Sequence, residues 1–135
     1  WHDINNLFKH AGGVYILKYS SSHSDFTPIE VTRLLSSDLN GVLYIGETNC
    51  FVRRVADLKN ISPSYTSRVH ECGSLYKSNV KFNKTYPINK LYIELIGSDN
   101  PRDTESALLQ KYESEFGESP PPRTPYIRIR TERLT

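Results

Sequence analysis

One carboxylate, Glu105, lies on the apolar stripe of a predicted helix, three and four residues before Leu108 and Leu109. These spacings place the three side chains on one helical face, and that face must turn toward the core. A carboxylate at the margin of a core requires a partner. Two interpretations stay open: a Glu near the helix N-terminus stabilised by the macrodipole, or a metal ligand or general acid or base.

Two adjacent arginines, Arg53 and Arg54, belong to another predicted helix, and Arg54 lies beside the apolar residue Val55 at the core margin. A guanidinium presents a fork of donors that suits a phosphate. On a helix, however, a pair of arginines is more often a solvated face than a binding site. The pair therefore indicates phosphate binding only in combination with other residues.

Two tyrosines, Tyr15 and Tyr44, are expected on the first two predicted strands. Judged singly, each is a packing residue with a hydrogen-bonded hydroxyl. The two tyrosines belong to related tripeptides: Tyr15 is the last residue of Gly-Val-Tyr, and Tyr44 is the first residue of Tyr-Ile-Gly. The second motif ends at Gly46, and Arg54 follows eight residues later.

The two tyrosine motifs, the arginine and the late glutamate, in this order, resemble the GIY-YIG nuclease family. The resemblance covers about residues 13–116, with Val14 in place of the usual Ile and with Phe51 fitting the helix after the second motif. The sequence Glu-Ser-Ala-Leu-Leu from Glu105 is similar to the family's metal-binding helix. The resemblance implies an α/β (α+β) fold, with a small, mainly antiparallel three-stranded sheet flanked by helices. It also implies a divalent-metal-dependent endonuclease acting on DNA.

The resemblance assigns a role to each of these residues. Glu105 would hold one divalent ion, Mg²⁺ or Mn²⁺, whose other positions are filled by water and a phosphate oxygen. Arg54 would bind a nonbridging phosphate oxygen, Tyr15 would be the general base for the attacking water, and Tyr44 would orient that water. A tyrosine with a pKa of about 10 is a poor base at neutral pH, so the ion and the arginine must assist.

Two features of the sequence differ from the family, and the first bears on proton transfer. Leu58 stands one turn after Arg54, where many members carry a His, and no Asn follows the last predicted helix. By chain order His70 is the substitute, because it lies between the first predicted helix and the third predicted strand. The competing interpretation is a lone surface His, which is the more frequent situation.

Positive charge is concentrated locally. The whole chain carries 17 Lys and Arg against 15 Asp and Glu, a formal charge of +2 that singles out no partner. Residues 53–81 hold six basic and two acidic residues, and the tail from residue 120 holds four Arg and one Glu. We expect both segments to contact a DNA backbone through Arg53, Arg54, Lys59, Arg68, Lys77, Lys81, Arg123, Arg128 and Arg130.

Apolar patterning predicts the elements that position these residues. Strands are expected at residues 13–19, 42–46 and 89–96. One helix, with Asn49 as its N-cap, is expected to end before Pro63, and a second to run from Pro101 to Gly117. The core stripes of the two helices are Phe51, Val55 and Leu58, and Leu108, Leu109, Tyr112 and Phe116.

Three other segments have weaker patterns. Residues 20–40 exceed the link found in compact family members and are interpreted as an insertion, in which residues 28–35 form a short helix or an irregular stretch. Residues 65–76 favour a further helix. Residues 126–130 alternate apolar and cationic side chains, as in an edge strand or a basic arm.

Length and composition bound the class of protein. The 135 residues suit a single domain, here a core at about 13–116 with the insertion at 20–40 and a tail at 117–135. With 37% hydrophobic and 24% charged residues, the chain is neither disordered nor membrane-spanning by composition. The start at Trp1 and the absence of Met are expected of an excised segment.

The two cysteines, Cys50 and Cys72, are too few for a disulfide framework or a thiolate metal site, although one bridge stays open. We therefore expect a reducing compartment, the cytoplasm or the nucleoid or nucleus with DNA. Two alternatives to the nuclease also stay open. One is a catalytically degenerate member that binds nucleic acid without cleaving it, and the other is a protein-interaction module.

Overall fold

The computed structural model describes residues 11–21, 26–59 and 80–120. The strands are β1 (Gly13–Tyr19), β2 (Val31–Thr32), β3 (Ser37–Asp38), β4 (Val42–Thr48) and β5 (Leu91–Gly97). The helices are α1 (Phe51–Lys59), α2 (Val80–Thr85) and α3 (Pro101–Phe116), and a 3₁₀ turn, Ile88–Lys90, precedes β5. The fold is thus of the α+β kind.

The main sheet has three antiparallel strands in the order β4-β1-β5, and β2 and β3 form a separate hairpin. This confirms the predicted antiparallel three-stranded sheet. Strand β1 has the predicted bounds, β4 is two residues longer, and β5 begins two residues later because a 3₁₀ turn occupies residues 88–90. As the central strand, β1 is apolar on both sides, and Val14, Tyr15, Ile16 and Leu17 are all buried.

The sheet has two faces of different composition. On one face Ile16 pairs with Ile45, and this face is covered by the buried stripe of α3; we call it the helix face. On the other face Tyr15 pairs with Gly46 and Leu17 with Tyr44; we call it the tyrosine face. Because side chains alternate along a strand, the two tyrosines share one face across the β1–β4 ladder.

A β-bulge interrupts the ladder at the far end of β4. Leu17 pairs with Tyr44 whereas Lys18 pairs with Val42, so Leu43 is the extra residue. Leu43 is fully buried and joins the core cluster of the tyrosine face. The bulge thus lets two consecutive residues of β4 contribute to the same cluster.

Helix α3 lies between the two predicted end signals, Pro101 and Gly117, and its N-cap, Asn100, was not predicted. Asn100 is the N-cap, its side chain accepts from the Asp103 amide, and Pro101 occupies the first turn. Gly117 ends the helix in the left-handed conformation at φ 77°. The predicted stripe is confirmed, since Leu109, Tyr112 and Phe116 are buried and Leu108 packs against them.

Helix α1 buries Phe51 and Val55 as predicted, against Leu95 of β5. The predicted N-cap is wrong by one residue. The Cys50 carbonyl accepts the first helical hydrogen bond, from the Arg54 amide at 3.1 Å, so Cys50 occupies that position instead of Asn49. The Cys50 thiol is free. The Leu58 side chain and Cys72 lie outside the described residues.

The insertion holds the short hairpin β2–β3, so a helix at residues 28–35 is wrong. Helix α2 was not predicted: it is six residues long and buries none of them, so it has no apolar stripe to read. The segments at 65–76 and 126–130 lie outside the described residues. Within residues 11–21, 26–59 and 80–120, none of the helices is both long and apolar enough to cross a bilayer.

Candidate active site

Tyr15 and Tyr44, which we call the tyrosine pair, lie on the tyrosine face, close to the N-terminal end of β1. The Tyr15 and Tyr44 rings are 5.9 Å apart between centroids and inclined by 25°, a stacked arrangement. The exposed fractions of the two residues are 2% and 8%. Gly46 lies directly opposite Tyr15, and a Cβ there would overlap the Tyr15 ring and stand 2.7 Å from Cε1 of Tyr44. The glycine of the second motif therefore makes the room that the ring pair occupies.

Arg54 of α1 extends over this pair. Its guanidinium carbon lies 5.8 Å from the centroid of the Tyr15 ring, which is a cation–π distance. Asp57, one turn along, approaches Nη1 only to 3.9 Å, and Arg54 Nε is buried without a hydrogen-bond partner among the described residues. Its side chain is 26% exposed. Arg54 thus has donor capacity for a further acceptor, whereas the neighbouring Arg53 is exposed to solvent.

Glu105 reaches the same end of the sheet on a different element. Helix α3 is attached there, because the Ser98 amide donates to the Gly12 carbonyl at 3.2 Å and the Ser98 and Thr104 hydroxyls are 2.7 Å apart. Glu105 follows Thr104 and is half-buried. Helix α3 covers the helix face, and the tyrosines lie on the tyrosine face. Glu105 and the tyrosine pair can therefore contact a common ligand only around the N-terminal end of β1.

Gly13 lets neighbouring elements approach the N-terminal end of β1 closely. A Cβ at Gly13 would lie 2.9 Å from Cζ of Phe51 and 2.9 Å from the amide nitrogen of Ser98. The beginning of α1 and the end of β5 therefore both approach β1 closely at this point. We call it the Gly13 end of the sheet, and the opposite end, which carries the insertion, the Tyr19 end.

Glu105 is the single carboxylate that the resemblance assigns to a metal ion. Within the part of the chain that the structure describes, no three His, Cys, Asp or Glu side chains form a group suited to holding a metal. Mg²⁺ commonly takes one or two carboxylates and completes its shell with water and substrate phosphates. A single Glu105 carboxylate fits that pattern and does not fit a preformed protein cage.

The predicted DNA-contacting residues that the structure describes lie on the tyrosine-face side. Arg53 and Arg54 are on α1, and Lys81 is exposed on α2, whose Phe82 packs against the tyrosine-face cluster. The opposite helix, α3, exposes three acidic residues, Asp103, Glu113 and Glu115, and two basic ones, Arg102 and Lys111, so its exposed charge is net negative.

The other predicted site residues lie outside the described residues. They are the Lys59 side chain and Arg68, His70, Lys77, Arg123, Arg128 and Arg130.

The sequence reasoning missed Asp57 as a neighbour of Arg54, although its i,i+3 spacing on the helix is a readable signal. It also missed an aromatic group beside the tyrosine pair. Tyr86 contacts Tyr19 edge-on at 5.1 Å between ring centroids and Phe82 at 4.9 Å. Burial raises the pKa of Tyr86, which keeps its hydroxyl neutral through physiological pH.

Comparison of this chain with protein-family models, curated proteins and solved structures gives no match. The resemblance to the GIY-YIG nucleases accordingly rests on the motif residues alone.

Proposed function

We propose that this domain is a divalent-metal-dependent endonuclease of the GIY-YIG kind, which hydrolyses phosphodiester bonds in DNA. The observation that carries the proposal is the grouping of Tyr15, Tyr44, Gly46 and Arg54 on the tyrosine face, with the ring pair and the cation in contact. These residues come from three elements and are up to 39 positions apart in the chain.

The division of labour follows from the chemistry of each group. Phosphodiester hydrolysis needs charge neutralisation on the phosphate, an activated water and a stabilised leaving oxygen. Arg54, half-exposed and weakly paired, binds a nonbridging oxygen and stabilises the developing charge. Tyr15, beneath the guanidinium, is the candidate general base for the attacking water. Tyr44 orients that water.

The metal position belongs to Glu105, which would hold Mg²⁺ or Mn²⁺ together with water and a phosphate oxygen. When bound, the ion polarises the phosphate and steadies the leaving oxygen. DNA approaches from the side of α1 and α2, where Arg53 and Lys81 are exposed and where the acidic surface of α3 is absent.

The test is conversion of supercoiled plasmid to nicked or linear forms with Mg²⁺, with and without chelator. We expect conversion by the wild type only with free metal, and none by Glu105→Gln purified in parallel, which excludes a contaminating nuclease. Absence of conversion over a full range of Mg²⁺ and Mn²⁺ concentrations would overturn the cleavage activity.

A second function, DNA binding without cleavage, is favoured by the burial of the tyrosines. Only 2% of Tyr15 is exposed, and a general base must reach water. The plasmid assay separates the two functions, and for a wild type that cleaves, Tyr15→Phe tests the base assignment, because it removes the hydroxyl and keeps the ring. We expect the single-turnover rate to fall by about a hundredfold with unchanged DNA affinity if Tyr15 is the base. An unchanged rate assigns Tyr15 to packing.

A further inference from the structure

A buried carboxylate at the Tyr19 end of the sheet connects two elements of the proposed site. Asp38 ends β3 and is fully buried. Its Oδ1 accepts from the Asn40 amide at 2.8 Å, and its Oδ2 accepts from the Val42 amide at 3.0 Å and from the Tyr112 hydroxyl at 2.8 Å. Three donors satisfy a carboxylate that has left water, which would otherwise be costly to bury.

The three bonds differ in what they reach. The bond from Asn40 closes a local turn, as expected for an Asp that begins a turn. Val42 is the first residue of β4, and Tyr44 lies two residues along that strand. Tyr112 belongs to α3, seven residues or about two helical turns after Glu105. One side chain therefore joins the strand of Tyr44 to the helix of Glu105.

The rest of the insertion holds α3 without reaching β4 through these contacts. The Leu35 amide donates to the Phe116 carbonyl at 3.1 Å, and the Ser36 hydroxyl donates to the Glu115 carbonyl at 3.5 Å. These bonds satisfy carbonyls of the last helical turn, which have no partner within the helix. They hold the end of the helix, whereas the Asp38 bond also relates the helix to the sheet.

The hydroxyl of Tyr112 is suited to a permanent link. Its residue is buried beneath the Arg33 guanidinium, whose carbon is 5.7 Å from the ring centroid. Burial, followed by the hydrogen bond to Asp38, raises the pKa of Tyr112 far above its usual value. The hydroxyl accordingly remains a donor to Asp38 at any pH at which the protein works.

We propose that Asp38 and Tyr112 are positioning residues for the proposed active site, which fix the axial position and rotation of α3 against β4. The inference rests on the proposed function. A helix of 16 residues transmits a displacement along its length, so a shift at Tyr112 moves Glu105 relative to Tyr44. Misplacement of a reacting group by about 1 Å can lower a rate by about a hundredfold.

The experiment compares Tyr112→Phe with Ser36→Ala. Each variant loses one hydroxyl that connects the insertion with α3, but only the Tyr112 hydroxyl bonds to the carboxylate that also holds β4. The measurements are the single-turnover cleavage rate at saturating DNA and Mg²⁺, the Kd for DNA, and the amide NMR shifts of residues 44–46 and 104–106. Asp38→Asn, which keeps one of the two acceptor oxygens, replaces Tyr112→Phe if that variant does not fold.

We expect Tyr112→Phe to lower the single-turnover rate about tenfold, to leave the Kd within a factor of about two, and to move the amide shifts in both segments. Ser36→Ala should change none of them. Unmoved shifts at residues 104–106 would overturn the link whatever the rate. Moved shifts with a wild-type rate would overturn the positioning role. If the wild type itself does not cleave, the proposed nuclease function fails, and the shifts alone still decide whether the link exists.

Discussion

Two arginines, one at each end of the sheet, each have a tyrosine ring and a carboxylate as neighbours, but they differ in exposure and in the closeness of the ion pair. Arg33 and Arg54 each lie over a tyrosine ring, at 5.7 and 5.8 Å from the centroid. Arg33 is 5% exposed, has the Glu118 carboxylate at 2.8 Å and donates to the Ser119 carbonyl. Arg54 is 26% exposed, and Asp57 stands at 3.9 Å.

The difference separates an end of the sheet whose arginine is buried and closely paired from an end whose arginine is more exposed and weakly paired. At the Tyr19 end the cation is buried, and its ion pair and its carbonyl acceptor come from the same chain. At the Gly13 end the cation is accessible and weakly paired, and a surface pair at that distance contributes about 0–1 kcal/mol. Each arginine has a buried Nε without a hydrogen-bond partner among the described residues, so the two differ in exposure and in the closeness of the ion pair.

The largest expected effect tests whether the chemistry belongs to the Gly13 end alone. Glu105→Gln should lower cleavage by at least about a thousandfold, because it removes the assigned ligand of the ion, which supplies several kcal/mol of charge stabilisation. DNA affinity and Tm should change little, since the volume of the side chain is kept.

Glu118→Gln is the matched control, because it makes the same change just beyond the other end of α3 and should leave the rate unchanged. Wild-type turnover by Glu105→Gln would end the metal-ligand assignment.

The second effect compares the arginines directly. Arg54→Ala should lower the single-turnover rate by about 10²–10³ and weaken DNA binding, because it removes a donor from the developing charge. Arg33→Ala should lower the rate by no more than the about tenfold expected for Tyr112→Phe, whose ring it covers, and should lower the free energy of unfolding by about 2 kcal/mol, as for other losses of buried paired groups.

Cleavage kinetics and urea denaturation measure the two quantities. Arg53→Ala is the neighbouring control on α1 and should be milder. The comparison breaks if Arg33→Ala loses as much rate as Arg54→Ala, or if Arg53→Ala equals Arg54→Ala.

A smaller effect concerns His70, which lies outside the described residues. With Leu58 unable to transfer a proton, His70 is the substitute predicted from chain order, and His70→Ala should slow single-turnover cleavage roughly tenfold. The variant should not unfold. Rates within a factor of about two at saturating Mg²⁺ would assign His70 to the surface.

The smallest effect sharpens the contrast in pairing. Asp57→Asn removes the weak partner of Arg54, so DNA affinity should rise about two- to fivefold at low salt, and the gain should shrink as salt is added. Fluorescence anisotropy at two salt concentrations measures it. A loss of affinity would mean that Asp57 holds Arg54 in its binding position.

The sequence predicted the elements that carry a strong period and missed those that do not. Strand β1 and helix α3 were located by alternation, by a stripe and by the end signals Pro101 and Gly117. The hairpin β2–β3 has two residues in each strand, too few to show a period of two. The turn at Asp38 was predicted from residue types, but its bond to Tyr112, 74 residues away, follows from tertiary packing.

The candidate site was predictable as a set of residues and not as an arrangement. The motif order selected Tyr15, Tyr44 and Arg54, whereas their common face depends on a register between β1 and β4 that local sequence does not specify. The spacing that distinguishes Arg54 from Arg53 agrees with the exposure of the latter. The packing of α3 on the helix face depends on the path of the chain after β5, which local sequence does not specify either.

The bulge at Leu43 places one unpaired residue in β4 between the insertion and the Tyr-Ile-Gly motif. Upstream of Leu43 the strand pairs one step out of phase, and downstream it keeps the alternation that puts Tyr44 and Gly46 beside Tyr15. Changes of loop length among residues 20–40 can therefore be absorbed at the bulge without reversing the faces of the motif residues. In engineering terms the insertion can change in length, provided that Val31 and Arg33 keep their buried contacts and that an acidic residue still meets Tyr112.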